Sequence, residues 1–125
     1  MLPLVTSILT AAPAVTALVG VGIDARVYRH GEATQGVSLP YVTWSAPGGE
    51  AENSLTGACA DRWRVQVDCW ASADNGDAQI EALGQAVRDA IEAQGHVLVA
   101  YVADDRDFAT RRFRFSMAFD FINPR

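Results

Sequence analysis

The sequence predicts an α+β domain: a four- to five-stranded, mainly antiparallel sheet with two helices packed on one face. Three observations lead there. Residues 62–70 and 112–122 alternate between apolar and polar side chains, the period of a half-buried strand. Residues 4–18 and 80–91 repeat apolar side chains every three or four positions, the period of an amphipathic helix. The segments between candidate strands are short, which favours antiparallel neighbours.

Leu4, Val5, Ile8, Leu9, Ala12, Val15 and Leu18 form one apolar stripe. Pro13 lacks an N–H and crowds the preceding turn, so this helix is expected in two pieces, 2–11 and 13–19, ended by Gly20 and Gly22. A short strand is expected over 23–28, then a polar stretch to Ser38. Pro40 opens a strand through Ser45 that places Val42 and Trp44 on one side. Residues 47–58, small and polar after Pro47-Gly48-Gly49, read as a loop interrupting a strand pair.

From Arg62 to Trp70, the side chains of Trp63, Val65, Val67 and Cys69 point one way, and those of Arg62, Arg64, Gln66, Asp68 and Trp70 the other. A turn over 72–76 leads to a helix ending near Gln94, with Ile80, Leu83, Val87 and Ile91 buried. Asp74 and Asp77 suit its N-terminus, and Gly95 suits the position just past its end. Val97–Ala103 reads as a strand and Asp104–Asp107 as a charged hairpin turn. The final strand puts Phe113, Phe115, Met117, Phe119 and Phe121 on one face, which the helices must cover.

The 125 residues fit one domain, 1–125, without repeats or an internal boundary. Half the residues are hydrophobic and eleven are aromatic, enough for a core. All ten basic residues are Arg, against fifteen acidic ones, for a net charge of −5. Gripping nucleic acid or anionic lipid needs the opposite sign. The uncharged N-terminal stretch is broken by Thr6, Ser7, Thr10, Pro13 and Thr16, and no basic residue precedes it. Neither a signal peptide nor a bilayer span is expected from it. Cys59 and Cys69 are both expected reduced, with Cys69 a small core residue.

No catalytic, cofactor or metal residues are assigned. Gly20-Val21-Gly22-Ile23-Asp24-Ala25 resembles a dinucleotide fingerprint, but a helix precedes it where a strand is needed. His30 and His96 have no ligand-like spacing. Asp104-Asp105-Arg106-Asp107 lacks the glycine and distal Glu of a calcium loop. No Ser or Cys sits in a nucleophile motif, so an enzyme is not expected.

The outward charges matter more. If the strands over 62–70 and 112–122 are antiparallel neighbours, Arg64 approaches Asp120 and Arg114 approaches Asp68, with Arg112 nearby. Trp70 shares this face, as an interface anchor or as plain packing.

The pieces "LTAAPAVTALVG", "RVYRHGEATQGVSLPYVTW", "SLTG" and "RWRVQVDCWASADNGDAQIEALGQAVRDAI" then follow in a suggestive order. Together they resemble the small tail-completion and tail-terminator proteins of long-tailed phages, prophages and gene transfer agents. Leu39-Pro40-Tyr41-Val42, and Arg64-Val65-Gln66-Val67-Asp68 with Trp70 leading into a helix, carry the resemblance most strongly. It runs from Leu4 to Phe121 and departs at Arg29–Gly36, polar where a Pro-rich stretch is expected.

The resemblance implies assembly rather than catalysis. It implies a homo-oligomeric ring, commonly hexameric, on the head-proximal end of the tail tube. The ring ends tube polymerisation and offers a surface to a head connector protein. It implies a virion protein assembled in the host cytoplasm, in contact with the tail tube protein, with DNA only as cargo passing through the hole. A head-completion adaptor on the portal side is the alternative within this biology; a small ligand-binding domain or enzyme is the alternative outside it. Six copies would multiply the −5 charge sixfold, and acids lining the hole would keep DNA from sticking. Interface residues expected on this reading are Trp70, Arg64, Asp68, Arg112 and Arg114, plus Glu50, Glu52, Asn53 and Leu55 of the 47–58 segment.

Overall fold

A computed structural model describes residues 3–29, 38–54, 57–107 and 111–124, with backbone alone for 48–54, 57–61, 75, 107 and 122–124. Helices α1 (Val5–Ala11) and α2 (Pro13–Val19) are the two pieces expected around Pro13. Pro13 is the first residue of α2, where its missing N–H has no intrahelical partner to lose. Gly20 ends α2 with φ of 98°, and a Cβ there would meet the Asp24 carbonyl oxygen at 3.0 Å. A 3-10 turn over Gly22–Asp24 follows, so Gly20–Ala25 turns the chain after a helix and does not open one.

The expected strand over 23–28 shrinks to β1 (Val27–Arg29). Four longer strands follow: β2 (Tyr41–Ser54), β3 (Gly57–Ser72), β4 (Val97–Asp107) and β5 (Arg112–Pro124). Helix α3 (Asp77–Glu92) lies between β3 and β4. The sheet order is β1-β2-β3-β5-β4, antiparallel except for the β1–β2 pair.

Two stretches expected as loops are strand. Residues 47–54 and 57–58 belong to the β2–β3 hairpin, whose register slips between Ser45 and Gly48 and again between Glu52 and Asn53. Among the described residues β1 flanks β2 at Val42–Trp44, and no described strand flanks that side of β2 further along. Pro47 is tolerated there because no neighbour needs its N–H. Asp104–Asp107 is likewise strand: Asp105 lies opposite Arg114 and Asp107 opposite Arg112. The Arg114–Asp105 ion pair across the ladder favours pairing in a segment whose composition favours a turn.

Asp77 occupies the first turn of α3 as expected. Asp74 instead sits in a preceding 3-10 turn, where its N–H donates to Ser72 Oγ at 3.1 Å and its carboxylate pairs with Arg111.

The core lies on one side of the sheet. Val5, Leu9, Val15 and Val19 of α1 and α2, and Leu83, Val87 and Ile91 of α3, are fully buried. They face Val42, Val65, Val67, Cys69, Met117, Phe119 and Phe121. Trp44 Nε1 donates to Thr6 Oγ1 at 2.9 Å, fastening α1 to β2. Gly84 lets α3 approach β5: a Cβ there would lie 2.6 Å from the Phe115 ring. No helix among the described residues is long and apolar enough to cross a membrane.

Candidate interaction surface

The helices leave the opposite face of the sheet uncovered, and register decides what it presents. Alternation along β2, β3 and β5 puts Tyr41, Trp70 and Arg114 directly abreast, followed by Thr43, Asp68 and Ser116 in the next row. Arg64 and Asp120 face each other further along.

The first row crosses all five strands. Tyr28 of β1 meets Tyr41 edge-on, with ring centroids 6.4 Å apart. Tyr41 stacks on Trp70 at 5.8 Å and 13°. The Arg114 guanidinium carbon lies 6.0 Å from the Trp70 ring centroid. Arg114 Nη2 then donates to Asp105 Oδ2 on β4 at 2.8 Å. That hydrogen bond holds the Arg114 guanidinium above its usual pKa. Arg112 Nη1 donates to the Tyr41 hydroxyl at 3.1 Å from the end of this row.

The second row is satisfied within itself. Trp70 Nε1 donates to Thr43 Oγ1 at 3.1 Å, Gln66 Nε2 donates to Asp68 Oδ1 at 3.2 Å, and the Ser116 hydroxyl donates to the same carboxylate. Thr43 and Ser116 are the buried polar residues among those described, and both have partners.

The sequence-derived surface residues divide into three groups. Arg64 and Asp120 pair as expected, at 2.8 Å. Arg114 does not pair with Asp68, because Asp68 stands opposite Ser116 and Trp70 opposite Arg114. A two-residue offset separates the expected pairing from the observed one. Trp70 is half-buried in its row and keeps an edge toward solvent. The backbone of Glu50, Glu52 and Asn53 lies in the β2 arm of the hairpin, while Leu55 lies outside the described residues.

Sequence reasoning missed Tyr28, Tyr41, Thr43, Ser116 and Asp105. Parity with Trp70 and Asp68 would have found the middle three once the register was known. Asp105 was hidden by its apparent turn.

A groove runs between α3 and β4 on the helical side. Asp77, Ile80, Glu81, Asp104 and Phe115 line one part, of 350 Å³. Gly84, Gln85, Arg88, Tyr101 and Met117 line a second, of 230 Å³, which shares Glu81 and Phe115 with the first. No group of three or more metal-ligating side chains occurs among the described residues. His96 stacks on Phe121 at 3.9 Å, and burial lowers its pKa. His30 and the side chain of Cys59 lie outside the described residues. Cys69 is free and buried. Burial, then the charge of Asp68, pushes its thiol far up in pKa, which leaves it unreactive.

Comparison with solved structures gives a chain titled "Virion of native gene transfer agent (GTA) particle", with a TM-score of 0.68 and 22% identity. The match covers 97% of this chain and 92% of that one, so the two share a fold. No curated protein matches the sequence. The family model described as "Tail completion protein gp17" matches residues 3–122. That span takes in the helices, the whole core and the uncovered sheet face, and the chain therefore belongs to the tail completion protein gp17 family, a structural family of phage tails.

Proposed function

We propose that this chain forms a ring on the head-proximal end of the tail tube, where it stops tube polymerisation and joins tail to head. The carrying observation is the uncovered sheet face, with the row Tyr28–Tyr41–Trp70–Arg114–Asp105 built across it. Aromatic and Arg side chains held rigid on a flat face are the residue types that anchor protein interfaces. The Trp70 indole N–H and the Arg114 guanidinium are already hydrogen bonded, to Thr43 and to Asp105, so a partner can cover them without stranding those donors.

We assign this face to the tail tube or head connector protein, and the β2–β3 hairpin arm bearing Glu50, Glu52 and Asn53 to a second contact. Fold similarity to a chain of a gene transfer agent particle supports a place in the virion. Acidic side chains toward the hole would let DNA pass without sticking; a ring structure whose lumen is lined mainly by Arg would reject that part of the reading.

Deletion of the gene followed by electron microscopy tests the proposal. Headless tails of abnormal length are expected, and wild-type protein should restore particles where a Trp70→Glu variant does not. Normal-length tails lying beside full heads would replace termination with a joining role alone.

A further inference from the structure

β4 is an edge strand, and such edges are normally kept polar or covered. Here Val97, Val99, Tyr101 and Val102 are each between 43% and 58% exposed. The ladder to β5 passes from Leu98 to Ala100 and from Tyr101 to Ala103, so the skipped residues are Val99 and Val102. Each bulge turns a valine out of the ladder; bulges commonly re-aim a side chain in this way. They also break the hydrogen-bonding edge, which disfavours an uninterrupted ladder between two β4 strands.

The other exposed large apolar residues lie at the far side of the molecule. Val21 and the fully exposed Ile23 occupy the turn leading into β1, the opposite edge of the sheet, and Leu4 begins α1, which packs beside β1. The two edges also differ in charge. Exposed Asp77, Glu81 and Asp104 rim the groove beside β4. Near β1, Arg26 donates to the Pro40 and Leu18 carbonyl oxygens, and Arg29 lies over the Trp44 ring; no carboxylate partner of either occurs among the described residues. Three charges run against this match: Asp24 beside Ile23, Arg106 on β4, and Arg88, which lines the groove beside Tyr101 but is held by Asp89 and Glu92.

We infer that the β4 edge of one copy takes the Val21–Ile23 turn of a second copy, with the apolar side chains meeting and the acidic groove rim facing Arg26 and Arg29. A like-to-like β4 contact would close as a dimer and leave Ile23 exposed on both chains. A β4-to-turn contact covers both patches in every copy and repeats by rotation, which is the geometry that closes a ring. This deepens the ring reading above and rests on it.

The test uses chains with one accessible cysteine, Val102→Cys or Ile23→Cys in a Cys59→Ser background that keeps the fully buried Cys69, treated with a short bis-maleimide both in solution and in purified tails. Cross-linked dimers from the mixture, with none from either variant alone, are expected. Dimers from Val102→Cys alone would overturn the inference in favour of a like-to-like edge. Protein present in tails without a mixed cross-link would overturn the contact while leaving the tail reading intact; protein absent from tails would overturn the tail reading itself. A Val99→Asp/Val102→Asp chain should keep its melting temperature but fail to assemble on tails. Normal assembly by that chain would also overturn the contact.

Discussion

Asp68 shows how one half-buried carboxylate sets local strength. It takes hydrogen bonds from Gln66 and from Ser116, whose hydroxyl has no solvent exposure. Ser116→Ala removes a donor to a charged acceptor and should cost about 1.5–3 kcal/mol, read by urea denaturation. The half-exposed Arg64–Asp120 pair is weaker: a double-mutant cycle should give a coupling of about 0.2–1 kcal/mol that shrinks with added salt. His96 gives a pH signature. Burial holds its folded pKa below the ordinary 6.5, so the unfolded chain binds the proton more readily. Its contribution to stability is therefore complete above 6.5 and is lost as pH falls toward the folded value. Replacing His96 with Phe should flatten that part of the stability–pH curve. At this scale the sequence shows which side chains share a face and not which stand opposite. Alternation has a period of two, so the Arg64–Asp120 pair and an Arg114–Asp68 pair look equally good until the register makes the first directly opposite and the second diagonal, where the Asp68 charge still acts on Arg114 but its hydrogen bonds go to Asp105.

Among elements, α3 is held closest to the sheet where it has no side chain. Gly84→Ala drives a methyl group into the Phe115 ring at about 1–3 kcal/mol, and the gain of about 1 kcal/mol in helix propensity leaves a net loss of up to about 2 kcal/mol. Adding Phe115→Leu should recover part of the loss in thermal melts. The helices were legible because their apolar spacing and the Pro13 break are local. The strand ends were not. Pro47 and the two glycines after it signal a loop, yet β2 continues because, among the described residues, this part of it has β3 alone to satisfy, across a register slip that takes in Pro47. Asp104 and Asp105 signal a turn, yet β4 continues because Arg114 and Arg112 come from a strand distant in sequence. β1 runs parallel to β2, which no local pattern announces.

The whole molecule has two layers: helices cover one face of the sheet, and no helix among the described residues packs on the other. The sequence made this asymmetry visible, since five apolar side chains on one side of β5 oppose charged and small ones on the other. A part of a phage tail must offer surfaces to other proteins, and the proposed ring would use this face as one of them. If the hairpin arm is one of them, Glu50→Gln/Glu52→Gln should reduce the yield of joined particles without changing the melting temperature. Equal yields would remove the arm from the interface.

Trp70 also makes the uncovered face optically visible. Its indole is half-buried, while that of Trp44 is buried and tied to Thr6. In a Trp63→Phe chain, which removes the third and also half-buried indole, a soluble anionic quencher such as iodide, drawn by the guanidinium of Arg114, should dim Trp70 and spare Trp44. Docking on this face would shut the quencher out, so the recovered emission would report occupancy in real time without a label.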